Sequence, residues 1–371
     1  MIKLVKVLHI HSDKKFLSET LRFQHENFDN TTALLSNEDI ALDLNVAIVR
    51  FRLNFFTLKK VVSYSEGFDV VVLYDLNTYH IAIANALPSE IKIIWRFFGQ
   101  ELYMLDKQAY LSDLTKEINN ITKTSFIKKV QISLSYRIKR QVYCLFFGYN
   151  FDLFQSISRI SYMMVLFEEE YDFLCKKYTL PQYLPIPIGS IVLKTGNDVR
   201  DKILIGNSQN DFNNHFDVLR SLNEVDTSNV IIPLNYGSDS YYAERLKKEA
   251  KTQNVRVLDT FLSLPDYENL LSTCSAFVLN AYRQMAVGNI WIALQQGMKI
   301  YLNEKNLVYH IFKKHEIEVF TLEDFRKDIE SGNTKISLAT ASKNIESFNF
   351  MISNSREKFS ETLSELSTNN D

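Results

Sequence analysis

The stretch at 201–222, DKILIGNSQNDFNNHFDVLRSL, constrains the fold of this chain more than any other. Its apolar start, ILI at 203–205, predicts a buried strand that ends at Gly206. A polar tract follows, and apolar residues return at helical spacing from Phe216. This order forms the opening half of a βαβ unit, with the turn at the carboxyl edge of a parallel sheet. A helix amino terminus offers N–H groups there, so the loop is either an anion site or an ordinary polar turn.

The same alternation of strand and helix extends along most of the chain. Further apolar runs that predict strands lie at 2–10, 69–74, 92–98, 161–167, 230–234, 255–258, 276–279 and 299–302. Segments with helical spacing separate them, which predicts an α/β protein with doubly wound parallel sheets. A length of 371 residues favours two such Rossmann-like domains.

The expected domain boundary lies near residue 190. Three prolines and a glycine between 181 and 189 suit a stiff connection between domains. We therefore expect an amino-terminal domain at 1–190 and a carboxy-terminal domain at 191–371. A helix at 345–366 either stays in the second domain or crosses back to the first.

Composition excludes several classes of protein. The formal net charge is -2, which gives no overall electrostatic case for nucleic acid as a partner. The three cysteines, Cys144, Cys175 and Cys274, are too far apart for a zinc motif or a disulfide framework. No signal-peptide layout and no run of about 20 apolar residues is present. These features predict a cytoplasmic protein with reduced thiols and no metal site.

Two acidic residues follow predicted strands of the first domain. Asp13 comes after the first strand, beside His9 and His11, and Glu101 comes after the strand that ends near Gly99. Open α/β sheets place ligand groups at such strand ends, so both carboxylates are candidates for acid or base catalysis. The alternatives are that the histidines only pack and that Glu101 complements a helix dipole.

A second polar turn follows the predicted strand at 276–279. It carries Arg283, whose planar cation suits phosphate, and it reaches Gly288 and Asn289 where a helix begins. This turn and the turn after Gly206 leave one sheet at its carboxyl edge. If another α/β domain faces them across a cleft, the two turns predict a nucleotide-sugar site. The sequence has no GxGxxG, P-loop, HExxH or DxD motif, which weakens dinucleotide, P-loop and metal-dependent alternatives.

Residues 122–150 form the most biased segment. They include six lysines and arginines and no acidic residue, interleaved with aromatic and aliphatic residues. A basic aromatic helix is typical of a surface that lies on anionic lipid, although an ordinary helix packed on the core is the alternative. We therefore expect peripheral contact with an anionic membrane through 122–150. The segment at 50–60 has the same character.

Several segments together resemble the bacterial dTDP-N-acetylfucosamine:lipid II N-acetylfucosaminyltransferase family, glycosyltransferase family 56. They are ILIGNSQNDFNNH, PLNYG, DYENLLSTC, RQMAVGNI and YLNEKN, with looser likeness in DKKF and WRFFGQELY. The likeness covers most of the chain and is strongest over 201–306. Two positions depart from the family pattern: Met285 stands where a glutamine is expected, and Glu101 stands where an aspartate is usual.

The resemblance implies a GT-B glycosyltransferase, with two Rossmann-like domains that face a central cleft. It implies a dTDP- or UDP-linked deoxyamino sugar as donor and a lipid-linked or surface glycan as acceptor. It implies no cofactor and no required metal, with Asp13 and Glu101 as the acid/base candidates and a location on the inner face of the cell membrane. It also implies a set of residues that hold the nucleotide diphosphate. These are Gly206, Asn207, Ser208, Asn213, His215, Tyr236, Arg283, Gln284, Gly288, Asn289 and Asn303.

Two other functions fit the same sequence. A nucleotide-sugar 2-epimerase would keep the fold and need no acceptor, which leaves the basic aromatic segment unexplained. A non-catalytic nucleotide-sugar-binding subunit is the other, because obvious carboxylates are scarce in the first domain.

Overall fold

The structure is a computed structural model that describes residues 4–24, 27–37, 48–120, 141–142, 144–145, 148–194, 200–223, 225–237, 240–260 and 262–368. The chain divides into two compact units. The first comprises the described parts of 1–101, 127–188 and 354–371, and the second comprises those of 102–126 and 189–353. This division differs from a single boundary near 190 at two places: the segment at 102–120 belongs to the second unit, and the last helix belongs to the first.

The first unit contains a parallel sheet of seven strands within the described residues. The strands are β1 (Val5–His11), β2 (Phe28–Leu35), β3 (Ile48–Phe51), β4 (Val70–Tyr74), β5 (Lys92–Arg96), β6 (Tyr162–Val165) and β7 (Gln182–Pro185). Their order is β3-β2-β1-β4-β5-β6-β7, so the winding direction reverses between β1 and β4. All five residues of β4 are buried, as its unbroken run of apolar side chains requires.

The second unit contains a parallel sheet of five described strands. They are β8 (Lys202–Ile205), β9 (Val230–Pro233), β10 (Arg256–Leu258), β11 (Cys274–Leu279) and β12 (Lys299–Leu302). The order β10-β9-β8-β11-β12 reverses the winding between β8 and β11. Ligands of open α/β sheets bind outside the carboxyl ends of the strands at such a reversal. Each unit therefore has one sheet edge where a ligand is expected.

Helices connect the strands in both units. Those in the first unit are α1 (Phe55–Ser65), α2 (Thr78–Ala86), α5 (Leu153–Arg159), α6 (Glu168–Cys175) and α14 (Ser355–Thr368), and a short helix α3 (Gln100–Tyr103) begins there. Those in the second are α4 (Asp113–Asn120), α7 (His215–Ser221), α8 (Tyr241–Thr252), α9 (Leu264–Ser272), α10 (Val287–Gln295), α11 (Leu307–Lys314), α12 (Leu322–Ser331) and α13 (Leu338–Ile352).

Two local expectations from the sequence are wrong. The segment after β1, expected to be one of the helices between predicted strands, is a 3₁₀ helix, Lys14–Phe23, and Phe28 opens strand β2, which is absent from the predicted strands. The polar start of β2 hides the strand in the sequence, because Asn30 Oδ1 is needed there to accept a hydrogen bond from Nε2 of the buried His9 ring. Part of the proline-rich connection is the edge strand β7, where proline is tolerated because the strand pairs on one side only.

The segment at 102–120 is fixed to the second unit by apolar and polar contacts. Ile118 of α4 is buried in the core of that unit. The Ser112 amide donates to Asn214 Oδ1 at 2.8 Å, and its hydroxyl donates to Asp217 Oδ2 at 2.6 Å. These contacts explain why the chain joins the second unit long before residue 190.

The predicted helix at 345–366 consists of two helices that belong to different units. In α13, Asn349 exchanges hydrogen bonds with the backbone of Ile191. In α14, the Phe359 ring meets Phe23 edge to face at 5.2 Å, and Arg356 Nε donates to the Ile188 carbonyl. The return to the first unit is therefore made by α14 alone.

We expect Phe359→Ala to lower the free energy of unfolding by about 3–5 kcal/mol, because it empties a buried site in the first unit. Phe359 is 3% exposed, whereas Phe350 of α13 is 80% exposed. Phe350→Ala is therefore the matched control and should stay within about 0.5 kcal/mol of the unchanged protein. Thermal and urea unfolding measure both. Equal effects of the two substitutions would contradict the packing of α14 described above.

Candidate functional site

The two polar turns singled out in the sequence lie side by side in the second unit. They follow β8 and β11, which pair directly at the reversal of the sheet. The Gly206 amide donates to the Val278 carbonyl at 2.8 Å. Beyond it, Asn214 Nδ2 donates to the Asn280 carbonyl and Asn280 Nδ2 donates to the Asn214 carbonyl, both at 3.0 Å. The structure thus brings the loop at 206–215 and the turn at 280–289 together.

Gly206 is required by its surroundings. Its φ is +71°, and a Cβ added there would lie 2.5 Å from His215 Nε2 and 3.1 Å from Asn213 Oδ1. His215 is fully buried, and burial lowers its pKa to about 3, so the ring is neutral. Its Nδ1 lies 3.1 Å from the Tyr242 hydroxyl. The ring therefore packs under the loop and sets the path of the backbone at Gly206.

The polar side chains of this loop mostly bond to the loop itself. Asn213 Oδ1 accepts from the Asn207 amide at 3.3 Å, and Asn213 Nδ2 donates to the carbonyls of Ser208 and Asn210. Ser208 is only 3% exposed and Asn213 only 1%, whereas Asn207 is half-buried. Of the loop residues expected to hold a diphosphate, Ser208, Asn213 and His215 are thus placed as supports of the loop.

Arg283 occupies an aromatic setting. Its guanidinium lies 4.6 Å from the ring centroid of Phe212 and 5.3 Å from that of Tyr103. Its Nη1 donates to the Gln284 carbonyl at 2.9 Å, and the residue is 6% exposed. A guanidinium that contacts two aromatic rings stabilises the packing through cation–π interactions and also supplies a positive charge. Arg283 therefore joins the loop at 206–215 to the segment that begins at 102, and Gln284 beside it is also buried.

The amino terminus of α10 is an open part of this sheet edge. Its N-cap residue, Ala286, has a left-handed backbone with φ of +58° and gives no side-chain cap. Gly288 in the first turn is exposed, and a Cβ added there would meet no atom within 4 Å. Asn289 is half-buried and donates from Nδ2 to the Tyr267 hydroxyl at 2.9 Å. Uncapped first-turn N–H groups and the helix dipole favour an anion here.

The remaining predicted residues flank this helix end. Tyr236 is 45% exposed after β9, and its carbonyl accepts from the Gln209 amide at 3.0 Å. Asn303, after β12, donates from Nδ2 to Asn280 Oδ1 at 2.7 Å. Near it, the exposed Lys305 places Nζ 4.3 Å from the Tyr282 ring centroid. Lys305 lies inside the YLNEKN motif but is not among the residues predicted from the sequence to hold the diphosphate.

Asn214 is the main supporting residue that sequence reasoning missed. It is fully buried with φ of +47°, and its Oδ1 accepts from the Ser112 amide. Its Nδ2 donates to carbonyls of three segments, those of Tyr110, Phe212 and Asn280. The signal in the sequence was the doubled asparagine of NNH, since asparagine is the residue besides glycine that best tolerates this backbone region.

In the first unit, the two histidines near Asp13 are buried and neutral. His9 contacts the Tyr74 hydroxyl through Nδ1 and Asn30 through Nε2, and burial lowers its pKa to about 4. His11 stacks on the Tyr74 ring at 3.7 Å, and burial lowers its pKa to about 2. Asp13 caps the following 3₁₀ helix, where its Oδ1 accepts from the Lys15 amide at 2.9 Å.

Glu101 lies at the carboxyl edge of the same sheet, just after β5. Its Oε1 accepts from the Trp95 indole at 3.2 Å and from the Phe98 amide at 3.4 Å. Its Oε2 is shielded from solvent and has no hydrogen-bond partner within the described chain. Burial, and after it the charge of Asp75, raises the pKa of Glu101 to about 7. A carboxyl group with this pKa can exchange a proton near neutral pH.

Asp75 was not singled out from the sequence, yet it lies closest to the reversal of the first sheet. It follows β4 directly, and its backbone has a φ of +83°. Its carboxylate meets His80 Nδ1 at 2.7 Å and accepts from the Ser12 hydroxyl at 3.2 Å. Burial acts to raise its pKa, but the His80 ring and the hydrogen bonds from His80, Asn77 and Ser12 hold the pKa below its ordinary value.

The expected membrane surface at 122–150 lies almost entirely outside the described residues. Only 141–142, 144–145 and 148–150 of it are described. No helix in the described ranges is both long enough and apolar enough to cross a membrane. The described side chains also include no group of three or more His, Cys, Asp or Glu arranged to hold a metal ion.

The raised pKa of Glu101 predicts a pH-dependent stability. The folded protein holds a proton on Glu101 up to about pH 7, whereas an unfolded chain releases it near pH 4.5. Stability is therefore fully present at low pH and falls as pH rises, by on the order of 3 kcal/mol above the folded pKa. Glu101→Gln should flatten the fall in melting temperature between about pH 5 and pH 8.

The matched control for this measurement is Glu90→Gln, since Glu90 is an exposed glutamate of the same unit. It should leave the pH profile unchanged. A Glu101→Gln profile that runs parallel to that of the unchanged protein would show that Glu101 does not carry the buried proton.

Comparison with known structures identifies the fold. An α,α-trehalose-phosphate synthase (UDP-forming) from Burkholderia vietnamiensis matches with a TM-score of 0.60 at 8% identity, covering 98% of this chain and 100% of that one. A lipopolysaccharide outer core galactosyltransferase matches with a TM-score of 0.53 at 11% identity, covering 97% and 99%. A protein described as a UDP-N-acetylglucosamine 2-epimerase from Listeria monocytogenes matches with a TM-score of 0.50 at 10% identity, covering 96% and 97%. At such identities the likeness shows the fold alone, which is GT-B.

Comparison with protein families is more specific. The family described as 4-alpha-L-fucosyltransferase, glycosyl transferase group 56, matches residues 178–367. The match covers half of the chain and includes both turns at the reversal of the second sheet. It agrees with the resemblance drawn from the sequence motifs and favours sugar transfer over the 2-epimerase alternative. The chain therefore belongs to glycosyl transferase group 56 and is a nucleotide-sugar glycosyltransferase.

Proposed function

We propose that this enzyme transfers a deoxyamino hexose, of the 4-acetamido-4,6-dideoxygalactose type, from a dTDP- or UDP-linked donor to a lipid-linked or surface glycan. The sugar and the acceptor rest on the resemblance to the dTDP-N-acetylfucosamine:lipid II transferases. The structural observation that carries the proposal is the open, uncapped amino terminus of α10 at the reversal of the second sheet. That position is where a nucleotide diphosphate is expected in an open α/β sheet.

The donor diphosphate is proposed to lie against the first turn of α10. Ala286 offers no side chain to the N–H groups of this turn, so an incoming phosphate can accept their hydrogen bonds. Gly288 lets the phosphate approach the backbone, because no side chain stands in the way. Asn289, held by Tyr267, lies in the same turn. The nine-residue helix adds its dipole to the attraction.

The neighbouring side chains are proposed to complete donor binding. Tyr236 exposes nearly half of its surface and can contact the nucleoside. Lys305 supplies an exposed positive charge near the turn at 280–289. Arg283 adds a positive charge in the same turn. Its guanidinium also contacts the Phe212 ring and so helps to fix the loop at 206–215. Gly206 and Asn207 present the backbone of that loop, and Asn303 steadies Asn280.

The chemistry of transfer fits this division of roles. The acceptor oxygen forms a bond to the anomeric carbon, and the bond from that carbon to the diphosphate breaks. Its electron pair leaves with the nucleoside diphosphate, where positive helix ends and cations stabilise the growing charge. The acceptor hydroxyl must lose its proton, and Asp13 and Glu101 are the groups proposed for acid/base work from the sequence. The absence of a required metal is part of the same proposal.

The acceptor is proposed to be presented at the membrane. Residues 122–150 carry basic and aromatic side chains without an acidic one, which suits contact with anionic lipid. Each basic residue near such a surface contributes about 1 kcal/mol, so the segment can anchor a peripheral enzyme. We accordingly place the enzyme on the inner face of the cell membrane in this proposal.

The direct test supplies the enzyme with a lipid-linked saccharide and a panel of dTDP-, UDP- and GDP-sugars. We expect transfer from a dTDP- or UDP-linked deoxyamino sugar, seen as release of nucleoside diphosphate and a heavier lipid product. Transfer should continue in the presence of a chelator. A donor at a hundred times its dissociation constant should also stabilise the protein by about 2.7 kcal/mol in a thermal shift assay.

Two results would contradict the proposal. A new sugar isomer formed without an acceptor would indicate a 2-epimerase. Donor binding without turnover across a panel of acceptors would indicate a non-catalytic binding subunit.

Gly288→Ala should weaken donor binding without harming the fold. A methyl group at Gly288 has free space in the unliganded protein, so the melting temperature should change little. A diphosphate against the helix end would meet that methyl group, and the KM for the donor should rise by at least about tenfold. Gly67→Ala is the matched control, because a Cβ there makes only an ordinary 3.5 Å contact with the Tyr64 carbonyl. Equal donor KM values for the two variants would contradict the placement of the diphosphate against α10.

A further inference from the structure

The reversal of the first sheet has its own polar cluster. Strand β1 ends at His11 and is followed by Ser12, and β4 ends at Tyr74 and is followed by Asp75. The two strands pair directly, with Ile10 opposite Leu73. The Ser12 hydroxyl donates to Asp75 Oδ2 at 3.2 Å and so links the two strand ends. A carboxylate therefore stands where the strand order of this unit reverses, which is the ligand position of an open α/β sheet.

Asp75 is held in a backbone conformation that residues other than glycine rarely adopt. Its φ is +83°, and its amide donates to the Arg96 carbonyl at 3.1 Å. The Asn77 amide donates to Asp75 Oδ1 at 2.9 Å. A side chain in this backbone region costs on the order of 1–3 kcal/mol and persists only where its surroundings fix it. Glycine would fit this turn without strain. The presence of aspartate instead indicates that the carboxylate is needed at this position.

His80 orients the same carboxylate from α2. Its Nδ1 lies 2.7 Å from Asp75 Oδ1 and 3.1 Å from the Asp75 carbonyl. The ring is fully buried, and its Nε2 has no hydrogen-bond partner among the described residues. Two other buried atoms at this edge of the sheet, Glu101 Oε2 and His11 Nδ1, also have no hydrogen-bond partner among the described residues. Buried polar atoms are nearly always hydrogen-bonded in proteins, so these three atoms leave hydrogen-bonding capacity unused within the described residues.

Geometry separates Asp75 from the other two acidic candidates. Asp13 uses Oδ1 to cap the 3₁₀ helix after β1. Glu101 has Oε1 bound to the Trp95 indole and the Phe98 amide, and its Oε2 is shielded from solvent. The Asp75 side chain remains 30% exposed while His80, Asn77 and Ser12 fix its orientation. It is both accessible to a substrate and rigidly placed, as a general base must be.

We propose that Asp75 is the base that takes the proton from the acceptor hydroxyl, with His80 as the residue that positions it. This inference rests on the proposed function. As the acceptor oxygen bonds to the anomeric carbon, its proton passes to the Asp75 carboxylate. The bond from the anomeric carbon to the diphosphate breaks in the same step, and the electron pair leaves with the nucleoside diphosphate. Asp75 then releases the proton to solvent, and no oxidant, reductant or further reactant is needed.

Asp75→Asn is a clean test, because asparagine tolerates positive φ and keeps the shape of the side chain while it loses the basic oxygen. We expect kcat to fall by at least about 100-fold. The KM for the donor and the thermal shift with dTDP or UDP should not change, since those depend on the second unit. The matched control is Asp69→Asn at the opposite end of β4, where the carboxylate accepts from the Lys6 amide at 2.9 Å. That variant should keep full activity.

A second variant tests the positioning role of His80. The groups that face Asp75 are Ser12 after β1, Asn77 and His80 on α2, and Glu101 after β5. In His80→Asn an amide can still donate to Oδ1, but the imidazole that holds down the pKa of Asp75 is gone. The acidic limb of the kcat/KM profile should therefore move to higher pH. A residue that only packs would lower stability and leave the position of that limb unchanged.

The outcomes distinguish this inference from the proposed function. If the unchanged enzyme transfers no sugar from any donor of the panel, the proposed function fails. If it transfers sugar and Asp75→Asn stays within about threefold of Asp69→Asn, the assignment of Asp75 is wrong. Loss of kcat together with loss of the donor thermal shift would also overturn it, because a base acts on the acceptor alone.

Discussion

The carboxamide of Asn214 is the interaction on which the second unit most depends. It accepts from Ser112 and donates to the carbonyls of Tyr110, Phe212 and Asn280, so one buried side chain ties three segments together. Buried hydrogen bonds of this kind are costly to leave unmade. The loop after β8, the turn after β11 and the segment at 102–120 therefore hold one relative arrangement. The carboxyl edge of the second sheet is held in place by this connection.

The sequence was sufficient to predict the two parallel sheets and the polar turns that follow β8 and β11. Runs such as DVVVLY at 69–74 and ILI at 203–205 are buried on both faces, and their periodicity leaves little choice of structure. The strand Phe28–Leu35 was missed because Asp29 and Asn30 break its apolar pattern. The unit membership of 102–120 could not be predicted, since it is decided by contacts such as that of Ser112 with Asn214, 102 residues apart.

The sequence predicted which two turns meet at one edge of the second sheet, but not the contacts that each side chain makes there. Gly206, Gly288 and Asn289 lie at a sheet edge suited to an anion, as the motifs indicated. Arg283 was expected to face phosphate, but its cation stacks between the rings of Phe212 and Tyr103, residues far from it in sequence. Asp75 was overlooked although it follows the predicted strand at 69–74, because the sequence does not show which of several carboxylates at strand ends the fold will hold in place. Its candidate role depends on the contacts of its carboxylate with Ser12 and His80, and only the fold brings these residues together.

Neither unit is one uninterrupted length of chain. The chain passes to the second unit at 101/102, is back in the first unit by residue 141, and passes again at 188/189 and at 353/354. A gene fragment that stops near 190 would carry α4, whose Ile118 belongs to the core of the other unit, and would lack α14, whose Phe359 packs on Phe23. The complementary fragment would have the opposite defects. A single cut near residue 190 therefore cannot yield two fragments that each contain one whole unit.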